Sequence, residues 1–135
     1  MEQEFLYCTV CGNIVVKLKD SGLTPQCCGR DMIKLEADTV DASKEKHVPV
    51  AMLNGRAVSV FIGEEPHPMT DDHYIQWILI KTNKGFQVEN LKPGDSPQAI
   101  FYLDCDEEVL EAYAYCNIHK LWKTDQIEDA YKKIF

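Results

Sequence analysis

Four cysteines crowd the first 36 residues: Cys8-Thr9-Val10-Cys11-Gly12 and, after fifteen intervening residues, Cys27-Cys28-Gly29. A segment this short cannot fold on apolar burial alone, so something must staple it. Four thiolates converging on one metal ion would do so, and the ion would supply much of the folding free energy. The pair separated by two residues can wrap an ion in a tight turn, with Gly12 taking the positive φ that such a turn needs. The adjacent pair cannot form that same turn, which leads us to expect a distorted tetrahedron. Tetrahedral sulfur ligation suits zinc and iron alike. The competing arrangement is a vicinal disulfide between Cys27 and Cys28.

Which chemistry the thiols enter depends on compartment. The chain begins Met1-Glu2-Gln3-Glu4-Phe5, acidic where an export signal would be basic and then apolar, so a cytoplasmic protein is expected. In a reducing compartment metal ligation or catalysis explains six cysteines better than disulfides do. No apolar run approaches the roughly 20 residues needed to span a bilayer. A net charge of -8 argues against nucleic acid or an anionic membrane surface as partner, since neither rewards an acidic surface.

All four histidines and the other two cysteines lie beyond residue 44. Residues 1–36 therefore form one expected unit and 44–135 another, joined by a polar, small-residue linker over 37–43, Ala37-Asp38-Thr39-Val40-Asp41-Ala42-Ser43. In the second unit the pattern predicts strands over residues 48–53, Ala57 to Ile62, His73 to Thr82, Phe86 to Leu91, Ala99 to Leu103 and Val109 to Asn117. Asn54-Gly55, Asn83-Lys84-Gly85 and Lys92-Pro93-Gly94-Asp95 supply the turns between them. Short strands spaced this way predict an antiparallel β-sandwich or barrel rather than a βαβ fold. In the tail Ile127, Ala130, Tyr131 and Ile134 recur at helical spacing, and the segment reads either as a helix or as a last extended piece.

His47, His67, His73 and the cluster Cys116-Asn117-Ile118-His119 each fall at the edge of a predicted strand or in a loop, where scaffolds usually carry functional side chains. Cys116 and His119 are close enough to chelate one ion from a single turn, and His67 and His73 flank a short loop. If all five bind one ion, four imidazoles and a thiolate exceed the tetrahedral set that zinc prefers and leave an octahedral metal one open position. Iron with an open position suggests chemistry, and a thiolate ligand would push electron density onto it. Ferrous iron held this way keeps a formal positive charge inside an acidic chain, so a small anion would be drawn there. Lys46, beside His47, would add to that field.

Taken together, Cys8-x-x-Cys11 with Cys27-Cys28, then Glu45-Lys46-His47-x-Pro49, His67-Pro68-Met69, the following His73, and Cys116-Asn117-x-His119 with Trp122 after it, resemble desulfoferrodoxin, the two-iron class of superoxide reductase, over nearly the whole chain. The resemblance implies an all-β fold: a small desulforedoxin-like N-terminal β module followed by an immunoglobulin-like antiparallel β-sandwich that carries catalysis. It implies two iron ions per chain. One is held by Cys8, Cys11, Cys27 and Cys28; the other has His47, His67, His73 and His119 in its plane and Cys116 on its axis. The implied reaction is one-electron reduction of superoxide to hydrogen peroxide without dioxygen. By the same resemblance Lys46 attracts the anion and delivers a proton, Glu45 fills the open position in the oxidised resting state, and the amides of Ile118 and His119 tune the thiolate. A rubredoxin-like electron donor and a homodimer are further expectations. One position departs from the pattern: the family often has glycine after the last ligand histidine, and here Lys120 stands there. Cys105 matches no ligand position and is expected to be a packed free thiol.

Overall fold

The computed structural model describes residues 3–38, 48–62 and 67–130, and among these residues the secondary structure is all strand, turn and bend, with no helix and hence no helix able to cross a membrane. The chain divides into two compact units, Met1–Glu36 and Ala37–Phe135.

The first unit is built from short strands: β1 (Phe5–Tyr7), β2 (Ile14–Val16), β3 (Gln26–Cys27), β4 (Arg30–Asp31) and β5 (Ile33–Lys34). β1 lies between β2 and β5 in one antiparallel sheet, and β3 and β4 form a separate hairpin. Among the described residues Phe5 is buried, and Leu6, Cys8 and Met32 form a small apolar cluster with Cys27 packed against them. So small a cluster cannot offset the ordering of the surrounding chain, and two of its four members are themselves metal-type ligands.

The β3–β4 hairpin explains why two cysteines are adjacent. Cys27 pairs with Arg30, so Cys28 and Gly29 are the two residues of the turn, with φ of 54° and 73°. Two successive positive φ values mark a type I′ turn, the form whose twist matches the flanking strands and which usually carries Asn-Gly. Cys28 takes the asparagine position, so its sulfur leaves the chain in a different direction from that of Cys27.

The second unit contains β6 (Pro49–Asn54), β7 (Ala57–Ile62), β8 (Ile75–Thr82), β9 (Gly85–Asn90), β10 (Gln98–Tyr102), β11 (Val109–Cys116), β12 (Lys120–Thr124) and β13 (Ile127–Asp129). They form two four-stranded sheets, β10-β7-β6-β13 and β12-β11-β8-β9. This partition of consecutive strands between two sheets is that of an immunoglobulin-like sandwich. Residues of β6, β7, β8, β10 and β11 point inward, and Ala51, Val58, Val60, Ile62, Ile78, Ile80, Ala99, Phe101, Ala112 and Ala114 fill the space between the sheets. The inward set ends at Cys116, fully buried at the C-terminal end of β11.

Two compensating irregularities interrupt the β8–β11 ladder. Val109 pairs with Thr82 but Glu111 with Lys81, and Tyr115 pairs with Trp77 but Cys116 with Ile75. The second shift leaves Gln76 as an extra residue on β8. It reverses the strand's phase, so that Ile75 joins Ile78 and Ile80 in the core where simple alternation would turn it outward.

The tail corrects the helical spacing. Ile127–Asp129 is a strand that pairs in parallel with β6, Ile127 opposite Ala51, while Tyr131 and Ile134 lie outside the described residues. Ile127 packs on the sandwich core, and a helix would lose the ladder that the exposed edge of β6 offers. In the segment read as a linker, Asp38 bridges to Trp122 of β12 through hydrogen bonds with Leu121 and Lys123, and residues 39–43 lie outside the described residues. Cys105 is also corrected: it is exposed, because it sits in the Asp104–Glu107 turn that links β10 to β11, where the Glu107 amide closes on the Asp104 carbonyl.

Candidate metal centres

In the first unit the four sulfurs of Cys8, Cys11, Cys27 and Cys28 all lie within 4.8 Å of one another. Cys11 and Cys27 Sγ are 3.6 Å apart and Cys27 and Cys28 Sγ are 4.0 Å apart. A metal–sulfur bond of about 2.3 Å puts tetrahedral sulfurs about 3.8 Å from each other. The spacing is therefore that of ligands around one ion and twice that of a disulfide, about 2.05 Å. This excludes the vicinal bridge, and all four thiols are free.

Local backbone builds the site. The Gly12 amide donates to the Cys8 carbonyl at 3.0 Å and the Cys8 amide to the Asn13 carbonyl at 2.9 Å, closing the loop that brings Cys11 back over Cys8, with Gly12 at φ 82°. The Cys11 amide donates to Cys8 Sγ at 3.5 Å, and Asn13 Nδ2 donates to Cys27 Sγ at 3.6 Å. Backbone N–H groups of Cys11 and Val10 pull the Cys8 thiol down to about 6, whereas hydrogen bonding with Cys11 and Cys8 pushes Cys28 up to about 12. Sulfurs this close cannot all ionise unaided, and a cation at their centre resolves the conflict. The residues fit a tetrathiolate metal. Asn13, whose amide faces a sulfur, carried no sequence signal beyond following Gly12.

In the second unit the donors of His67, His73, Cys116 and His119 also lie within 4.8 Å of one another. They gather at one end of the sandwich: His67 follows β7, His73 precedes β8, Cys116 ends β11 and His119 lies in the turn to β12. The His73 ring centroid is 4.6 Å from that of His67 and 5.1 Å from that of His119, both edge-on. His119 Nδ1 is 3.8 Å from Cys116 Sγ.

Each ligand is held by its surroundings. His67 is buried, and its Nδ1 lies 2.7 Å from the Pro68 carbonyl. A carbonyl can only accept, so Nδ1 carries the proton and Nε2 is left with the lone pair. The Nε2 atoms of His67 and His73 are both sealed from solvent. The next residue along, Met69, anchors the loop: its carbonyl accepts the Gly94 amide at 2.9 Å and its sulfur the Ile75 amide at 3.4 Å. Thr70 closes the following loop on His73, with amide-to-carbonyl bonds of 2.9 Å and 3.2 Å. The phase reversal at Gln76 turns Ile75, the first residue of β8, into the core two positions after His73. On the other side, the Trp122 indole donates to the His119 carbonyl at 3.0 Å.

Of the two amides expected to tune the thiolate, that of His119 lies 3.5 Å from Cys116 Sγ. Cys116 is fully buried and His67 nearly so, whereas His119 is exposed, so the centre is dry on the sulfur side and meets solvent at His119. Lys120, where glycine was expected, has φ 70°. The backbone thus keeps the left-handed conformation that favours glycine, with a lysine in it. Glu45, Lys46 and His47 lie outside the described residues. The anchoring role of Met69 escaped sequence reasoning because its partner Gly94 is brought near only by the fold, and that of Thr70 because a loop closed on His73 leaves no signal in residue type. Three imidazoles and a buried thiolate form a donor set that fits iron.

A model of the desulfoferrodoxin family matches residues 39–125, and one of the desulfoferrodoxin N-terminal domain matches residues 2–35. The chain is 44% identical over 117 residues to a desulfoferrodoxin homolog of Archaeoglobus fulgidus, covering 87% of this chain and 92% of that one. It is 39% identical over 124 residues to the desulfoferrodoxin of Nitratidesulfovibrio vulgaris, covering 92% and 97%. Among solved structures it is similar to the superoxide reductase from Treponema pallidum, with TM-score 0.80, 34% identity, and coverage of 91% of this chain and 98% of that one.

Proposed function

The chain belongs to the desulfoferrodoxin family, and on that footing we infer how it works as a superoxide reductase, turning superoxide into hydrogen peroxide with one electron and two protons and forming no dioxygen. The observation that carries this is the convergence of three imidazoles and one fully buried thiolate at one end of the sandwich. Iron held there by His67, His73, His119 and Cys116 would supply the electron and the Lewis-acid site for the anion.

The protein's own groups do the rest. Cys116, dry and with the His119 amide at its sulfur, holds its negative charge on the core side of the centre. His67 is kept in one tautomer by Pro68, so its metal-facing nitrogen needs no proton rearrangement. We assign His47 as the fourth imidazole. Lys46, next to it in sequence, is the cation that draws superoxide in and hands on a proton, and Glu45 would be the carboxylate that binds the oxidised metal. A rubredoxin-like protein is the proposed electron donor, and the working form is a cytoplasmic homodimer. The four-cysteine iron staples the first unit.

Metal analysis and rapid mixing test this. Two irons per chain are expected, with one peroxide for each superoxide consumed; zinc alone, or one peroxide for every two superoxides with dioxygen released, would overturn the assignment. For Lys46→Ala we expect slower encounter with superoxide and a weaker dependence on ionic strength. An unchanged rate at low salt would remove Lys46 from the mechanism.

A further inference from the structure

The two segments that bring His73 and His119 to the centre are far apart in sequence, and one side chain ties them together. Asn117 Oδ1 accepts the Tyr74 amide at 2.9 Å, and Asn117 Nδ2 donates to the Asp72 carbonyl, also at 2.9 Å. The two arms of one amide therefore grip the residues immediately before and after His73. A third bond, from the Asn117 amide to the Tyr74 carbonyl at 3.3 Å, lies alongside. Within its own loop His73 is fixed to Thr70, which makes the loop stiff but does not locate it relative to Cys116 and His119. The β8–β11 ladder brings Ile75 opposite Cys116, and beyond it the Asn117 side chain, in the same turn as Cys116 and His119, reaches both residues that flank His73.

We propose that Asn117 is a positioning residue for the metal centre: its side-chain amide sets His73 against Cys116 and His119, so that a preformed ligand group, and not a loose histidine loop, meets the ion. The chemistry fits the task. Both arms are at ordinary hydrogen-bond length, and each uses a backbone group that cannot rotate away. An aliphatic side chain offers neither arm, and aspartate keeps only the acceptor.

The proposal rests on the reading of this group as a metal centre, and the test separates the two. Full-length protein is titrated with cobalt(II), whose visible bands report ligand number; the tetrathiolate centre takes cobalt as well and serves as an internal reference. Asn117→Ala should weaken cobalt binding at the histidine–cysteine centre by about 10- to 100-fold, the usual effect of losing a group that orients a ligand. The bands of that centre should intensify as a ligand is lost, and those of the tetrathiolate should not change. Asn117→Asp should fall between wild type and Asn117→Ala, and it replaces the alanine variant in the comparison if that variant does not fold. In a His73→Ala background, removing the Asn117 amide should have no further effect on affinity. An equal penalty with and without His73 would overturn the proposal, since Asn117 would then act on the fold at large, and so would unchanged affinity. No cobalt binding by the wild-type centre would instead overturn the metal-centre reading beneath it.

Discussion

Cys28 and Lys120 are the two non-glycine residues with positive φ among those described; Cys28 lies in a turn that carries metal ligands, and Lys120 is the first strand residue after one. Left-handed backbone costs an ordinary side chain about 1–2 kcal/mol, so it persists where the surroundings impose it. At Cys28 the reason is chemical: only this turn position lets a second sulfur follow the first and still face the same ion. At Lys120 the side chain is exposed, and the conformation belongs to the turn. Lys120→Gly should therefore raise stability by about 1 kcal/mol, since the relief of strain exceeds the added chain entropy. A higher urea midpoint with unchanged slope is the measurement that checks it.

At the scale of elements, one carboxylate joins the end of β8 to the β10–β11 turn. The Thr82 hydroxyl donates to Glu107 Oε2 at 2.7 Å and the Asp104 amide donates to Oε1 at 3.1 Å. Thr82's hydroxyl, then the Asp104 amide, hold the Glu107 carboxyl below its ordinary value of 4.5. A carboxyl lowered by folding adds stability that is complete above its unfolded value and disappears as pH falls through the folded one. The melting temperature of the wild type should accordingly drop more steeply below about pH 4.5 than that of Glu107→Gln, as followed by calorimetry. Strands such as these were legible where alternation was strict, and β7 was read to the residue. β12 was missed because Leu121 and Trp122 are both buried, which breaks the period. β13 was ambiguous because Ile127 and Ala130 suit helix and strand alike until the edge of β6 is known. The four N-terminal cysteines were legible from their spacing, whereas the histidines and Cys116 were joined into one ligand set only by the family resemblance. Asn117 was not legible, since its partners Asp72 and Tyr74 are more than forty residues away.

At the scale of the whole molecule, the two units rely on different sources of order. The sandwich has a continuous apolar core, from Ala51 to Cys116, whereas the first unit has Leu6, Cys8 and Met32. Chelating the four-cysteine metal, or replacing Cys28 with serine, should abolish amide protection in β1 and β2 while β8 and β11 stay protected. Hydrogen exchange resolved by peptide reads both outcomes in one sample. The extra residue on β8 has a consequence of another kind. Strand phase works as a reading frame, and Gln76 is its single inserted character. Deleting Gln76 would leave every ligand in the sequence and let β8 run on as a regular strand. It would also flip the frame upstream, turning Ile75 toward the outer face and displacing the loop that carries His73. The metal chemistry is therefore written partly in residue count, where a comparison of residue types alone would not find it.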